Sequence, residues 1–173
     1  MIAPVVVVLA LLGAPAHLAS FCSVDGVSES SGYEWRVERV AAEVDSASEI
    51  VRVRAIRADS AGHTITFEPI EWLRGRPAAA DSIVLPGVAV ETDDYNDLPV
   101  PYQMVRPSGR RGSCFTQEYR LGGQYLLLFK SGGPAPNSLF WWPLGPVNEQ
   151  LRGDNDTWLT WVRGRVARRS SSK

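Results

Sequence analysis

Several kinds of chemistry need residues that this chain does not supply in the required pattern. It has only two histidines, His17 and His63, and they form no paired-His metal motif. There is no GxSxG nucleophile elbow, no HExxH zinc helix and no glycine-rich phosphate loop. No apolar run reaches the roughly twenty residues that a helix needs to cross a bilayer. The formal net charge is -1, so no global field recruits nucleic acid or an acidic substrate. With 45% hydrophobic and 21% charged residues, the composition is that of a folded protein rather than a disordered or fibrous one. A length of 173 residues suits one domain with a sizeable core. Paired carboxylates of the glycosidase kind leave no local motif, because they come from distant strands. An enzyme of unrecognised type therefore stands as an alternative behind a non-enzymatic reading that needs no cofactor and no metal.

What the chain does have begins with MIAPVVVVLALLGAPA, which is apolar and uninterrupted over residues 5–12. This suits the central region of a secretory signal, with small residues for cleavage after Ala16 or Ser20. No Lys or Arg precedes the run, and a buried N-terminal strand is the competing reading. The expectation is a signal peptide over residues 1–20 and a secreted or periplasmic protein. Phe21 argues against lipidation of Cys22, which requires a small residue at that position.

Export bears on the two cysteines, Cys22 and Cys114. Outside the cytoplasm two thiols usually pair, and neither has a His or Cys at metal-ligand spacing. A disulfide between them is expected. In the chain-entropy model, closing a loop of roughly ninety residues contributes roughly 4 to 5 kcal/mol, less any strain.

Residues 23–35 are rich in Ser and Gly and read as loop. Val37, Val40, Ala41 and Val44 have the spacing of a short amphipathic helix over residues 35–44. In IVRVRAIRA, Val51, Val53 and Ala55 point inward and Arg52 and Arg54 outward, until the phase slips at Ile56. A slip of one residue predicts a bulge or bend. A turn over residues 59–62 leads into HTITFEPIEWLRG, a second strand interrupted by Pro69. DSIVLPG is a short third strand, and YLLLF, after a turn at Gly122-Gly123, is a strand buried on both faces. LFWWPL, residues 139–144, is the fifth strand candidate. DNDTWLTWVRGRVARR reads as a terminal helix with an acidic cap, the apolar face Leu159, Val162 and Val166, and arginines at its end. The fold expected is mainly β: a five-stranded, closed or partly open OB-fold-like barrel with a flanking short helix and a C-terminal helix. An open sandwich would need more strands.

Cys22, the strand IVRVRAI, FEPIEWLRG, and Cys114 followed by Leu121, Gly122 and the YLLLF strand together resemble the netrin-like domain. Its best-known members are the tissue inhibitors of metalloproteinases, and short exported bacterial proteins share the pattern. The resemblance implies an oligonucleotide/oligosaccharide-binding type barrel over residues 21–166, with residues 167–173 left as a disordered basic tail. In the family's inhibitors a first-residue cysteine chelates the protease zinc, a role that would fall here on Cys22, with Ser23 beside the metal. Val24 stands where those inhibitors carry a second cysteine. The leading expectation is therefore a binding module, with metalloprotease inhibition as an alternative.

Residues 91–98, ETDDYNDL, contain Asp93, Asp94 and Asp97, hard oxygen ligands of the kind calcium takes. They lack EF-hand spacing, and the neighbouring RPSGRR could neutralise them instead. Arg152-Gly153-Asp154 spells an adhesion tripeptide, but Asp154 or Asp156 as a helix cap explains it. Trp158 and Trp161 sit one helical turn apart and suit packing. One of Trp141 and Trp142 must point away from the core if their segment is a strand, which makes that pair the pointer to a ligand surface. The expected partner is an extracytoplasmic protein or polysaccharide, not nucleic acid. Membrane contact is limited to the signal segment or a weak touch by the basic tail. Thiol titration of the denatured, unreduced exported protein should find no free thiol, and two after reduction; two free thiols before reduction would refute the Cys22–Cys114 bond.

Overall fold

The computed structural model describes residues 33–75, 82–111, 115–130 and 144–171. A helix, α1 (Tyr33–Ser46), precedes two long strands, β1 (Glu49–Asp59) and β2 (Thr64–Arg74). Short strands β3 (Ile83–Pro86) and β4 (Val88–Val90) follow, and then a long connection holding the one-turn helix α2 (Pro107–Arg110). The chain finishes with β5 (Glu118–Arg120), β6 (Gln124–Phe129), β7 (Asn148–Leu151) and the helix α3 (Thr157–Ser170). Five strands form one antiparallel sheet in the order β3-β2-β1-β6-β7, while β4 and β5 pair in parallel. The protein is mainly β with short helices, as its periodicities predict. Among the described residues, the ladder of the five-stranded sheet ends at β3 on one side and β7 on the other. Continuous pairing does not close it into a barrel. One isolated parallel bridge, Tyr95 to Gln150, joins the chain beyond β4 to β7.

The bends come where the phase slips. The β1–β2 register shifts between Ile50 and Val51, between Arg52 and Val53, and between Ala55 and Arg57. The last shift leaves Ile56 as the extra residue, and Pro69 lies opposite Val53 at the middle one. Successive side chains point to opposite faces, and the sheet buries apolar side chains on both. Val51, Val53, Ala55, Phe67, Leu127 and Phe129 belong to one cluster. Ile50, Leu126 and Leu128 point the other way, into a second cluster with Val40 and Val44 of α1 and Trp158, Leu159 and Val162 of α3. This is why YLLLF is apolar without alternation: both sides of β6 are covered.

Two expectations need correction. Arg52 does point away from the first cluster, but it is only 6% exposed. The helical layer covers it, and it donates to Gln124 Oε1 and pairs with Asp154. Residues 167–170, expected in a disordered tail, are the last turn of α3. The expected strand over 139–144 lies almost wholly outside the described residues, and the sheet's fifth strand is β7, whose sequence NEQL carries no apolar period.

The helices are tied by their ends. Asp156 caps α3, accepting from the backbone N–H of Trp158 at 2.8 Å and Leu159 at 3.3 Å. The last turn of α1 has no basic residue of its own. Its carbonyls are served from elsewhere: Arg74 Nη1 donates to the carbonyls of Val44, Asp45 and Ala47 at 2.7 to 3.0 Å. Arg165 Nε donates to Ala41, and Arg169 to Asp45. Burial, and then the charge of Arg169, lower the Arg74 pKa, while Asp45 opposes them. Glycine matters at two close points. A Cβ on Gly87 would lie 2.7 Å from both Gln117 O and the Tyr119 ring, which would push β4 off β5. Gly122, with φ 79°, makes the turn into β6. No helix among the described residues is long and apolar enough to cross a membrane.

Arg74→Met should leave the Val44 and Ala47 carbonyls at the end of α1 without this donor, and Asp45 with Arg169 alone. The expected loss is about 2 kcal/mol in urea unfolding, with weakened amide protection in the last turn of α1.

Candidate functional site

The densest concentration of charge lies between β7 and the long connection over residues 91–111. Asn148, Glu149 and Gln150 are polar, consecutive and buried, which sheet packing tolerates only where each finds partners. The connection supplies those of Glu149 and Gln150, and Thr116 and Tyr119 supply those of the Asn148 amide N–H groups. The Asn148 Oδ1 has no partner among the described residues. Arg106 is 0% exposed. Its Nη1 pairs with Asp94 Oδ2 at 2.9 Å, its Nη2 donates to Glu118 O at 2.7 Å, and its Nε donates to Asn148 O at 3.1 Å. Its guanidinium carbon lies 5.2 and 5.3 Å from the ring centroids of Tyr119 and Tyr125. The planar fork suits this cage of acceptors and rings in a way an ammonium could not.

Glu149 fastens the two ends of the same segment. Its Oε1 accepts from the Arg106 backbone N–H at 3.1 Å, and its Oε2 accepts from Asn96 Nδ2 at 2.8 Å. Burial raises its pKa to about 7, opposed by the hydrogen bonds and charges of Asn96, Arg106 and Arg110. Burial also raises Tyr125 to about 12, against the nearby Arg106 charge, and Tyr119 is raised for the same first reason. Gln150 accepts from the Asp94 backbone N–H at 2.7 Å and donates to Asp93 at 2.6 Å. Asn148 donates to Thr116 O and to the Tyr119 hydroxyl, both at 2.8 Å.

The three aspartates singled out as hard ligands meet here, each at its own arginine: Asp93 at Arg120, Asp94 at Arg106 and Asp97 at Arg110. Two of those arginines belong to RPSGRR, so the charge neutralisation weighed for that segment is what the geometry carries. No group of three or more metal-ligating side chains converges among the described residues. Cys22, Ser23, Cys114, Trp141 and Trp142 lie outside the described residues. Of the adhesion tripeptide, Arg152 stacks 4.7 Å from the Tyr95 ring centroid and Asp154 pairs with Arg52. Trp158 is buried and stacks on Trp161 at 5.2 Å, as their spacing predicts.

A cleft of about 300 Å³ opens beside the network, lined by Val88, Ser108, Phe115, Thr116, Gln117 and Glu118. Ser108 Oγ lies 2.5 Å from Asp94 Oδ2 and 2.5 Å from Thr116 Oγ1. Asp94 also takes the Arg106 guanidinium and the Ser108 backbone N–H. Its lone pairs are therefore engaged in holding α2, and Ser108 has no adjacent imidazole among the described residues. The arrangement is a clamp on the connection. Arg106 and Asn96 had only one visible signal in the sequence, the acidic and basic clusters within one aperiodic stretch, and Glu149 had none. No protein-family description, curated protein or solved structure matches the chain.

Arg106→Met should strand Asp94 and several acceptors in a buried site, at a cost of about 3 to 5 kcal/mol. Arg111→Ala, which breaks the exposed pair with Glu118 at 3.7 Å, should change urea stability by less than about 0.5 kcal/mol.

Proposed function

We propose that this protein is an exported, non-enzymatic binding module of the netrin-like type, built on a partly open OB-like barrel, that grips an apolar surface on an extracytoplasmic protein. One observation carries the reading. The helices cover the outer face of β6 and the start of β1, but not the outer face of β1, β2 and β3 toward the β1–β2 turn. There Ile56 and Val84 are each 49% exposed, among the exposed Arg54, Arg57 and Glu68. Ile70, 40% exposed, lies farther along β2, beside Glu71, which pairs with Arg163 of α3. Leu121, in the turn whose Gly122 N–H donates to Ala55 O, adds a fourth half-exposed aliphatic side chain. Scattered apolar residues are ordinary on a surface, but several on one uncovered sheet face suit a contact site.

The barrel part of the proposal draws support from the strand order, the three register shifts, and the bridge that brings Gln150 beside Tyr95 beyond β4. Barrels of this type carry ligands on the face of their second and third strands and on the loop joining the first two. In this chain that description falls on β2, β3 and the β1–β2 turn. Aliphatic side chains favour an apolar protein surface over a sugar, for which stacked aromatic rings are the usual platform. The strongly perturbed carboxyl, Glu149, is fully buried with both oxygens engaged, which fits a structural duty better than proton transfer to a substrate. Export rests on the apolar N-terminal run.

The test is an Ile56→Lys/Val84→Lys double variant, whose side chains lie outside both core clusters. Its urea midpoint should stay close to the wild type. Its cross-linking to the envelope or culture-fluid protein that wild type captures should fall at least tenfold. Undiminished capture by a folded double variant would exclude this face as the contact site.

A further inference from the structure

The arginines whose charges favour ionised Glu149, Arg106 and Arg110, each already hold an aspartate. Arg106 pairs with Asp94, Arg110 with Asp97 and Arg120 with Asp93. From β6 the residue opposite Glu149 is Leu126, which is apolar. Tyr119 and Tyr125 belong to the cluster on the other sheet face. On the face of Leu126, β1 contributes Arg52, which pairs with Asp154, and Arg152 beyond β7 donates to Asn96 O. On β7 its neighbours are the amides Asn148 and Gln150. The ion pairs among the described residues do not include Glu149. Its ionised form is therefore a carboxylate at a site closed to water with no cation bound directly to it, Arg106 and Arg110 favouring it only from a distance. Its two oxygens hold Asn96 and the Arg106 backbone, residues near the two ends of the connection, and α2 follows Arg106 directly.

We propose that Glu149 is a proton-operated latch. Neutral, it keeps the connection over residues 91–111 seated on β7; ionised, it loosens that seat and releases the Ser108 wall of the adjoining cleft. A protonated carboxyl keeps acceptor capacity on both oxygens, so the two N–H donors remain served. Losing the proton adds a buried charge with no directly bound cation, whose desolvation cost is relieved by opening the segment to water.

The sign follows from the raised pKa. The hold is fully present below about 4.5, the ordinary value, and is lost as pH rises through about 7. Between pH 5 and pH 8 the closing equilibrium should weaken on the order of fiftyfold.

Two measurements on the full chain test this. The Glu149 carboxyl carbon, followed by NMR, should titrate near pH 7. Hydrogen-exchange protection at the Arg106 and Ser108 amides, corrected for intrinsic rate, should fall at least tenfold from pH 5 to pH 8, while amides in the middle of α3 change little. In Glu149→Gln the fall at Arg106 and Ser108 should disappear. A carboxyl titrating below pH 5 would overturn the latch, and so would an equal loss of protection in α3, which would mean global destabilisation. An unchanged pH profile in the Gln variant would do the same. If that variant does not fold, the wild-type titration and the α3 comparison decide alone.

Discussion

Removing a guanidinium wholly from water is tolerable only when acceptors surround it, and the burial of Arg106 imposes that condition on much of this fold. Its partners are drawn from Asp94, Glu118 and Asn148, which belong to three separate stretches of chain. Satisfying one side chain therefore fixes the relative position of the acidic stretch, β5 and β7. Asn148 in turn reaches Thr116 and Tyr119, and Gln150 reaches Asp93 and Asp94. A buried network of this kind is stable as a whole and costly to break in part. It gives an aperiodic connection a defined path where apolar packing alone would not.

The same residue type organises the opposite side of the molecule. Arg74 from β2 and Arg165 and Arg169 from α3 converge on the carboxyl end of α1, which has no cation of its own in its last turn. A helix end concentrates unpaired carbonyls and partial negative charge. Supplying donors from two other elements both terminates α1 and docks it. The helical layer is thereby attached to the sheet at its ends as well as through Val40, Val44, Leu159 and Val162.

These two devices leave an asymmetry. One face of the sheet is occupied by the inner cluster, and the other is half covered by α1 and α3. The remaining half, toward the β1–β2 turn, keeps Ile56 and Val84 partly in water, among the exposed Arg54, Arg57 and Glu68. The bulge at Ile56 helps create that surface, because the extra residue turns an isoleucine out of the register that buries Ala55. The buried polar groups serve the protein's own architecture, and the proposed contact surface is this part of the outer face. The binding proposal rests on that division.

The elements legible in the chain were those set by near neighbours. Val40 and Val44 at helical spacing, the Asp156 cap before Trp158, the phase slip at Ile56 and the unalternating YLLLF run each report a local backbone preference or which faces are apolar. Such preferences are written within a few residues, so α1, β1, β2, β3, β6 and α3 could be read directly. Nothing comparable marks NEQL as a strand, Arg52 as buried, or Arg106 and Glu149 as partners. Glu149 meets Arg106 across 43 positions and Asn96 across 53. A polar side chain is buried only if distant chain arrives with matching hydrogen bonds, and period and propensity carry no information about that arrival. Which polar residues lie inside, which carboxylate is wholly removed from water, and which half of the sheet stays bare were settled when the strands and helices packed together.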